Sequence, residues 1–179
     1  MAATRTQSDH AEHPAEPLDR ATLVDIACGI AAARDLWAAH VRHDDVERHP
    51  VRLLATDAYE VWVVGWTPGQ GVSLHDHGGS TGVIVVTEGR LTERTRTGAA
   101  RRLEAGDVTE LGPTDVHEVC NEGDEWATSI HVYSPPLAAM AYHLTGDAPA
   151  VALEALATNP PVVDARHVTR VLHPSHRRD

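Results

Sequence analysis

The sequence predicts a mostly-β domain, a sandwich or barrel of short strands, with helix before it. The runs at 61–66 and 83–86 are short, rich in β-branched and aromatic residues, and bounded by turn residues, as buried strands are. Similar runs follow to about residue 134, at a spacing typical of all-β sandwiches and barrels. The chain has 179 residues, of which 42% are hydrophobic, and this suits a single core.

The N-terminal region divides into a polar arm and a helical segment. Residues 1–17 are polar and proline-containing, which predicts a disordered arm. Over 18–45, apolar residues recur at helical spacing and predict one long or two shorter helices, with Gly29 as a possible break. Thr22, followed three residues later by Asp25, could begin the second helix in the manner of a capping box.

Turn residues delimit the strands and the domain. Gly98 and the stretches 67–69 and 104–107 mark turns between strand-like runs. The spacing predicts strands near residues 51–54, 61–66, 83–86, 91–96, 108–111, 116–120 and 127–134, and a short helix over 151–157. We expect one domain over 18–160 and a C-terminal extension over 161–179.

Charge and cysteine content restrict the function. The formal net charge of −11 leaves no basic patch for nucleic acid or an anionic membrane. Cys28 and Cys120 are far apart and form no CxxC pair, so neither a disulfide framework nor a zinc ribbon is expected. No apolar stretch has the length of a membrane span or a signal core, which predicts a cytoplasmic protein. The expected partners are small molecules, and the expected state is a monomer or small homo-oligomer.

The first candidate metal ligands are His75 and His77. One residue separates them, so on a strand both side chains point to one face and can bind a single ion. A His-x-His pair also occurs by chance without a metal, so it indicates a metal site only when further candidate ligands accompany it. Gly69 lies six positions before His75, and Gly89 ends the segment. Gly82 lies five positions after His77 and seven before Gly89. This spacing resembles the first motif of the cupin superfamily, in which most members have a glutamate ligand at the place of Gly82.

The third candidate ligand is His117. Ten residues separate it from Gly106, and Asn121 follows after three. This resembles the second cupin motif, although Gly112 and Thr114 stand where that motif usually has Pro and Gly. The resemblance implies an all-β fold, a small jelly-roll barrel with the metal inside and the N-terminal helices packed outside. Three imidazoles without a carboxylate suit iron, zinc, copper or nickel better than magnesium or calcium. Because neutral imidazoles leave the ion with its whole positive charge, they also favour an anionic ligand such as a thiolate.

A second polar group follows in the last strongly predicted strand. Ser129, His131 and Tyr133 lie two residues apart, so an extended chain presents all three on one face and Ile130 and Val132 on the other. An inward row of hydroxyl, imidazole and phenol is costly unless each group bonds to the next. We therefore expect a hydrogen-bonded row.

The motifs together resemble those of cysteine dioxygenase and related thiol dioxygenases. The resemblance covers residues 50–143 and rests on this row, on His75-Asp-His77-x2-Ser80 and on His117-x-Val119-x-Asn121. It implies Fe(II) held by the three histidines and oxidation of L-cysteine to cysteine sulfinate with both atoms of O2. Tyr133 would donate a hydrogen bond to bound oxygen or thiolate, His131 would hold the phenol, and Ser129 would fix the imidazole.

The resemblance also concerns two other positions. Gly82 stands where mammalian enzymes have a cysteine cross-linked to the tyrosine, so Tyr133 would be uncrosslinked, as in the bacterial members. The family's carboxylate-binding arginine precedes the metal motif, and Arg52 is the best candidate, with Arg48 nearby. Arginine suits this role because its planar fork pairs with a carboxylate in two bonds. Pro50 replaces a tyrosine that often stands two residues before that arginine.

Three alternatives remain open from the sequence. The substrate could be 3-mercaptopropionate or a pathway-specific cysteine derivative, or the product could be other than a simple sulfinate. The chain could instead be a non-catalytic cupin that binds a metal or small ligand, or a zinc or nickel isomerase. The Ser129, His131, Tyr133 row favours the dioxygenase over a binding module, which has no need of such a row beside a metal.

Overall fold

Two antiparallel sheets and one N-terminal α-helix make up the part of the chain that the structure describes, residues 16–143, 151–153 and 162. The structure is a computed structural model. Its strands are β1 (Val51–Ala55), β2 (Glu60–Trp66), β3 (Gly71–Asp76), β4 (Thr81–Glu88), β5 (Arg90–Thr95), β6 (Ala100–Glu104), β7 (Val108–Leu111), β8 (His117–Cys120), β9 (Ala127–Ser134), β10 (Met140–Tyr142) and β11 (Val151–Leu153).

The two sheets form a jelly-roll barrel, which confirms the predicted fold class. One sheet has five strands in the order β1-β2-β9-β4-β7, and the other has six in the order β11-β10-β3-β8-β5-β6. Residues of both sheets meet in one buried cluster, which includes Trp66 and Ile84 from the first and Val72 and Val119 from the second. The interior of the barrel is therefore the space between the sheets.

The helix α1 (Arg20–Ala32) packs on the outer face of the five-stranded sheet, as expected. It begins earlier than the candidate capping box, because the Asp19 carboxylate accepts from the Thr22 backbone N–H at 3.0 Å. A 3-10 turn, Arg34–Leu36, follows, so the break falls at Ala33 and not at Gly29. The buried face of α1, with Leu23, Ala27 and Ile30, lies against β4 and β9.

Strand β9 is buried over its whole length and lies at the centre of its sheet. Ile130 and Val132 belong to the core cluster that contains the helix, whereas Ser129 and His131 are buried on the opposite side of the strand. Each apolar side chain buried in this way stabilises the fold by roughly 1.5 to 3 kcal/mol. The strand thus has the hydrophobic core on one face and the polar row on the other.

The C-terminal region departs from the predicted helix. Val151–Leu153 forms β11, an antiparallel partner of β10, and residues 154–157 lie outside the described residues. Strand pairing has overridden the local helical pattern here. The arm at 1–15 and most of 161–179 are also outside the described residues, so the division into arm, domain and extension stays a prediction. In the described part of the chain, no helix has the length and apolar character needed to cross a membrane.

Candidate metal centre and substrate cavity

Three buried histidines come together inside the barrel. His75 lies near the end of β3, His77 directly after it, and His117 at the start of β8, where it pairs with His75 across the ladder. One nitrogen from each lies within 4.8 Å of the others, and all three side chains are buried. Gly78, with φ of 59°, turns the chain away immediately after His77.

The free nitrogens of this cluster suit a metal ion. Nδ1 of His75 lies 2.9 Å from the Ser73 carbonyl oxygen, and Nδ1 of His117 lies 2.9 Å from Glu93 Oε1. These contacts leave Nε2 of both rings for a metal. Within the described residues, Nε2 of His117 and both ring nitrogens of His77 are buried without a hydrogen-bond partner. Because unpaired buried polar atoms are costly, a bound cation explains them well.

The electrostatics of the cluster keep two of its imidazoles in the ligating form. Burial, followed by the neighbouring His117, lowers the pKa of His75 to about 4. Burial, with His75 and His117, lowers the pKa of His77 to about 2. Both rings are therefore neutral near pH 7, as metal binding requires.

The expected polar row is present on β9. Ser129 Oγ lies 2.8 Å from His131 Nε2, and His131 Nδ1 lies 3.0 Å from the Tyr133 hydroxyl oxygen. The Tyr133 ring is 4.9 Å from the His77 ring between centroids. The row therefore ends beside the histidine cluster.

Trp66 is a donor to the row. Its indole Nε1–H donates to Ser129 Oγ at 2.9 Å, and an indole can only donate. The Ser129 hydroxyl hydrogen remains available to His131 Nε2. In the His131 tautomer that accepts it, the other ring nitrogen carries the proton and donates to the Tyr133 oxygen, which leaves the phenol hydrogen for a ligand. The sequence pattern alone did not place Trp66 in this row, and the signal was a tryptophan in a buried strand, since a buried indole N–H needs a hydrogen-bond partner.

The protonation states agree with this direction. Burial lowers the pKa of His131 to about 3, with the Arg48 charge as a further cause, so the ring is neutral. Burial raises the pKa of Tyr133 well above its ordinary value, so the phenol keeps its proton. A neutral imidazole and an intact phenol are what a donor row requires.

A cavity opens in front of the histidine cluster. Its polar lining comes from Arg48, His75, His117, His131 and Tyr133. The remaining lining residues are Pro50, Trp62, Val64, Trp66, Val72, Ile84, Val119, Leu137 and Met140. Mostly apolar walls with a few convergent polar groups are typical of a small-molecule site.

Arg48 is the arginine that lines this cavity. Its guanidinium carbon lies 4.9 Å from the centre of the Trp66 ring, a cation–π contact. Burial lowers the pKa of Arg48, although an arginine stays protonated in a protein. Arg48 and Pro50, two residues apart, both face the cavity.

Arg52, the predicted carboxylate-binding arginine, pairs with a buried carboxylate in the structure. Its guanidinium is 3.3 Å from Oε2 of Glu60, which is only 1% exposed, and it is not among the residues lining the cavity. Glu60 also accepts from the Leu137 backbone N–H at 3.0 Å. The signal was Glu60 itself, because a carboxylate inside a buried strand needs a cation, and Arg52 stands across the β1–β2 hairpin.

Two further groups shape the cavity. Gly82 pairs with Tyr133 across β4 and β9, and a Cβ at this glycine would lie 2.9 Å from Cε1 of the Tyr133 ring. The ring occupies the space that a side chain at position 82 would need. Trp62 is 3% exposed, and its Nε1 has no hydrogen-bond partner within the described residues. The cavity wall thus contains an unused donor.

Glu93 on β5 is a site residue that the sequence analysis missed. The carboxylate is 7% exposed, meets His117 through Oε1, and accepts through Oε2 from Thr109 and Arg101, both at 2.9 Å. Burial alone would raise its pKa, but the hydrogen bonds from His117, Thr109 and Arg101 outweigh burial and hold the pKa below its ordinary value. The signal was an acidic residue two positions after Leu91, on the same face of the strand as that apolar residue.

Comparison with solved structures agrees with the fold. A conserved protein with a double-stranded β-helix domain from Klebsiella pneumoniae matches at 27% identity and a TM-score of 0.56, over 60% of this chain and 94% of that one. A protein from Thermus thermophilus matches at 22% identity and a TM-score of 0.50, over 53% of this chain and 90% of that one. Both resemble this chain as β-barrel domains.

The sequence itself matches a known family. The family model for cysteine dioxygenase type I matches residues 19–143, a span that holds the three clustered histidines and the row on β9. The match covers well over half of the chain, from the helix to the strand after the row. The chain therefore belongs to the cysteine dioxygenase type I family of the cupin superfamily.

Proposed function

We propose that this protein is an Fe(II)-dependent thiol dioxygenase whose first-choice substrate is L-cysteine. The observation that carries the proposal is the position of the Tyr133 phenol, held by His131 at 3.0 Å and 4.9 Å from the ring of His77. A metal-storage or sensor domain has no need of a directed hydrogen-bond row that ends beside the metal ligands. The overall reaction joins one thiol and one O2 to give one sulfinic acid, with both oxygen atoms on sulfur.

His75, His77 and His117 would hold the metal, and the nitrogens described above fit that role. Fe(II) held there would supply open coordination positions and redox chemistry for the reaction of a thiol with oxygen. Tyr133 would donate its free hydrogen to the sulfur or oxygen in the cavity, where a preorganised donor is most effective. His131 and Ser129 would keep that donor aimed.

The carboxylate of the substrate would bind Arg48 and not Arg52. Arg48 lines the cavity, whereas the Arg52 guanidinium is held by Glu60. The unpartnered Nε1–H of Trp62 is a second donor on the same cavity wall. A carboxylate fixed by an arginine and an indole would place the sulfur at the histidine cluster before oxygen enters.

The cavity also favours a second candidate substrate, a thiol carboxylate without an amine, such as 3-mercaptopropionate. No Asp or Glu is among the described residues that line the cavity. A free substrate ammonium would therefore lack a counter-ion in a mostly apolar site, which is costly. Cysteine avoids this cost only if its amine is deprotonated and bound to the metal.

Oxygen uptake with a thiol panel tests the proposal. Protein loaded with Fe(II) would be supplied with L-cysteine, 3-mercaptopropionate, cysteamine or no thiol, and the products would be analysed by mass. We expect no oxygen consumption without a thiol, faster consumption with a thiol carboxylate than with cysteamine, and a product heavier by two oxygen atoms. The absence of thiol-dependent uptake with all three compounds would identify the domain as a binding module.

A further inference from the structure

We propose that Glu93 is a positioning residue that supplies the metal centre with negative charge through His117. The inference rests on the proposed metal site, and it concerns the charge that holds the ion. Gly82 removes the carboxylate from the ligand set, and the three clustered histidines are neutral donors. A divalent ion in a buried site of this kind lacks an anionic protein ligand, and the Glu93 carboxylate lies one hydrogen bond beyond His117.

The geometry of Glu93 suits this role. Oε1 lies 2.9 Å from His117 Nδ1, the nitrogen that faces away from the metal position, and His117 Nε2 is free of protein partners in the described residues. A carboxylate on the far nitrogen of a metal-bound imidazole fixes the ring orientation and makes the near nitrogen a stronger donor. His117 is thereby fixed in the tautomer that binds with Nε2.

The carboxylate is itself held from two directions. Thr109, on β7 of the other sheet, donates to Oε2, and Arg101, on the neighbouring strand β6, donates to the same atom. The Thr109 and His117 side chains are buried, and Glu93 is 7% exposed. Such a buried carboxylate is costly unless its oxygens are satisfied, and here each oxygen has a partner.

The three histidines differ in what supports them. A backbone carbonyl accepts from His75, no described group bonds to His77, and only His117 has a charged partner. Of the three ligands, His117 is therefore the one whose ring is hydrogen-bonded to a carboxylate. We expect His117 to be the strongest of the three donors to a bound ion.

The first test is the affinity of purified protein for Fe(II) and Co(II), measured without oxygen against a coloured chelator. Glu93→Gln keeps the shape and an acceptor for His117 but removes the charge, and it should weaken binding roughly 10- to 100-fold. The control Glu104→Gln removes the same charge from an exposed site on β6 and should change affinity by less than about threefold, because solvent screens it. Thermal unfolding without metal shows whether the variant is folded.

The second variant should strengthen metal binding instead of weakening it, and it changes a more exposed side chain, so folding is less affected. Arg101 is 54% exposed, and Arg101→Gln removes the cation that neutralises Glu93. Since the carboxylate then acts with more of its charge, metal binding should tighten by about two- to fivefold. A purely structural Glu93 would predict unchanged or weaker binding in this variant.

The outcomes separate the inference from the proposed function. Wild-type affinity in Glu93→Gln, or unchanged or weaker binding in Arg101→Gln, would overturn the role of Glu93 while the metal site stands. A wild-type protein that binds neither ion would overturn both. Weaker binding in Glu93→Gln, tighter binding in Arg101→Gln and little change in Glu104→Gln would support the inference.

Discussion

At the scale of single residues, the Tyr133 hydroxyl is the group closest to a chemical role. Tyr133→Phe removes one hydroxyl without opening a cavity, so metal content should stay as in the wild type. We expect kcat to fall by roughly ten- to thousandfold, as for a lost transition-state donor. The measurement is thiol-dependent oxygen uptake at matched iron content. Tyr59→Phe is the control, because Tyr59 lies in the β1–β2 hairpin outside the cavity lining. Equal rates in the Tyr133 and Tyr59 variants would reduce the row to a structural feature.

The two arginines should separate substrate binding from stability. Arg48→Ala should lower kcat/KM for cysteine by an amount equivalent to a loss of about 2 to 5 kcal/mol in binding free energy. The effect on cysteamine, which has no carboxylate, should be much smaller. Arg52→Ala leaves the buried Glu60 carboxylate without its cation and should lower the free energy of unfolding by about 3 to 5 kcal/mol. Steady-state kinetics with both thiols and urea unfolding measure the two effects. Equal losses on cysteine and cysteamine in Arg48→Ala would show that Arg48 does not bind the carboxylate.

At the scale of elements, the pairing of β4 with β9 controls where the phenol lies. Gly82→Ala would place a Cβ 2.9 Å from Tyr133 Cε1, a distance that the ring can relieve only by moving. We expect kcat to fall while metal affinity changes little, because the histidines lie on β3, β8 and the turn after β3. The control Gly112→Ala meets only the Asp115 carboxylate, at 3.3 Å. Wild-type kcat in Gly82→Ala would mean that the ring position is not critical.

Elements with a regular side-chain pattern were predictable from the sequence, and those set by distant contacts were not. The alternation on β9 located Ser129, His131 and Tyr133 on one face, and seven of the nine strands from β1 to β9 were predicted, all except β3 and β6. The ion pair of Arg52 with Glu60 was not predicted, because Glu60 lies across a hairpin with a register shift. Glu93 was missed because its meaning depends on His117, which is 24 positions away. Strand β11 depends on pairing with β10, which local periodicity does not reveal.

At the scale of the whole molecule, buried neutral histidines should make the metal-free protein sensitive to mild acid. Burial is the leading cause that lowers the pKa of His75 to about 4, of His77 to about 2 and of His131 to about 3. The unfolded chain takes up protons on these residues near their ordinary pKa of about 6.5, whereas the folded protein does not. Their contribution to stability is therefore complete above about pH 6.5 and is lost as the pH falls toward these lowered pKa values.

The expected slope can be measured by urea unfolding of metal-free protein at pH 7.5, 6.5 and 5.5. Each of these histidines can contribute up to about 1.4 kcal/mol per pH unit below its unfolded pKa. His131→Gln should reduce the slope, whereas His40→Gln, outside the row and the histidine cluster, serves as the control. The same pH dependence in wild type and His131→Gln would contradict the assignment of a neutral buried His131.

The burial of β9 on both sides determines how this protein tolerates sequence change. From Ser129 to Tyr133 the strand alternates between members of the polar row and apolar groups of the core cluster that contains the helix, and all five are buried. In a saturation library scored separately for cellular abundance and for turnover, the two scores should therefore alternate with a period of two residues. Substitutions at Ile130 and Val132 would lower cellular abundance. Conservative substitutions at Ser129, His131 and Tyr133 would leave an abundant, inactive protein. Variants of this one strand thus fall into two classes, those that lose the folded protein and those that lose turnover while the protein stays folded. Only in the second class does a folded site remain in which turnover could be restored.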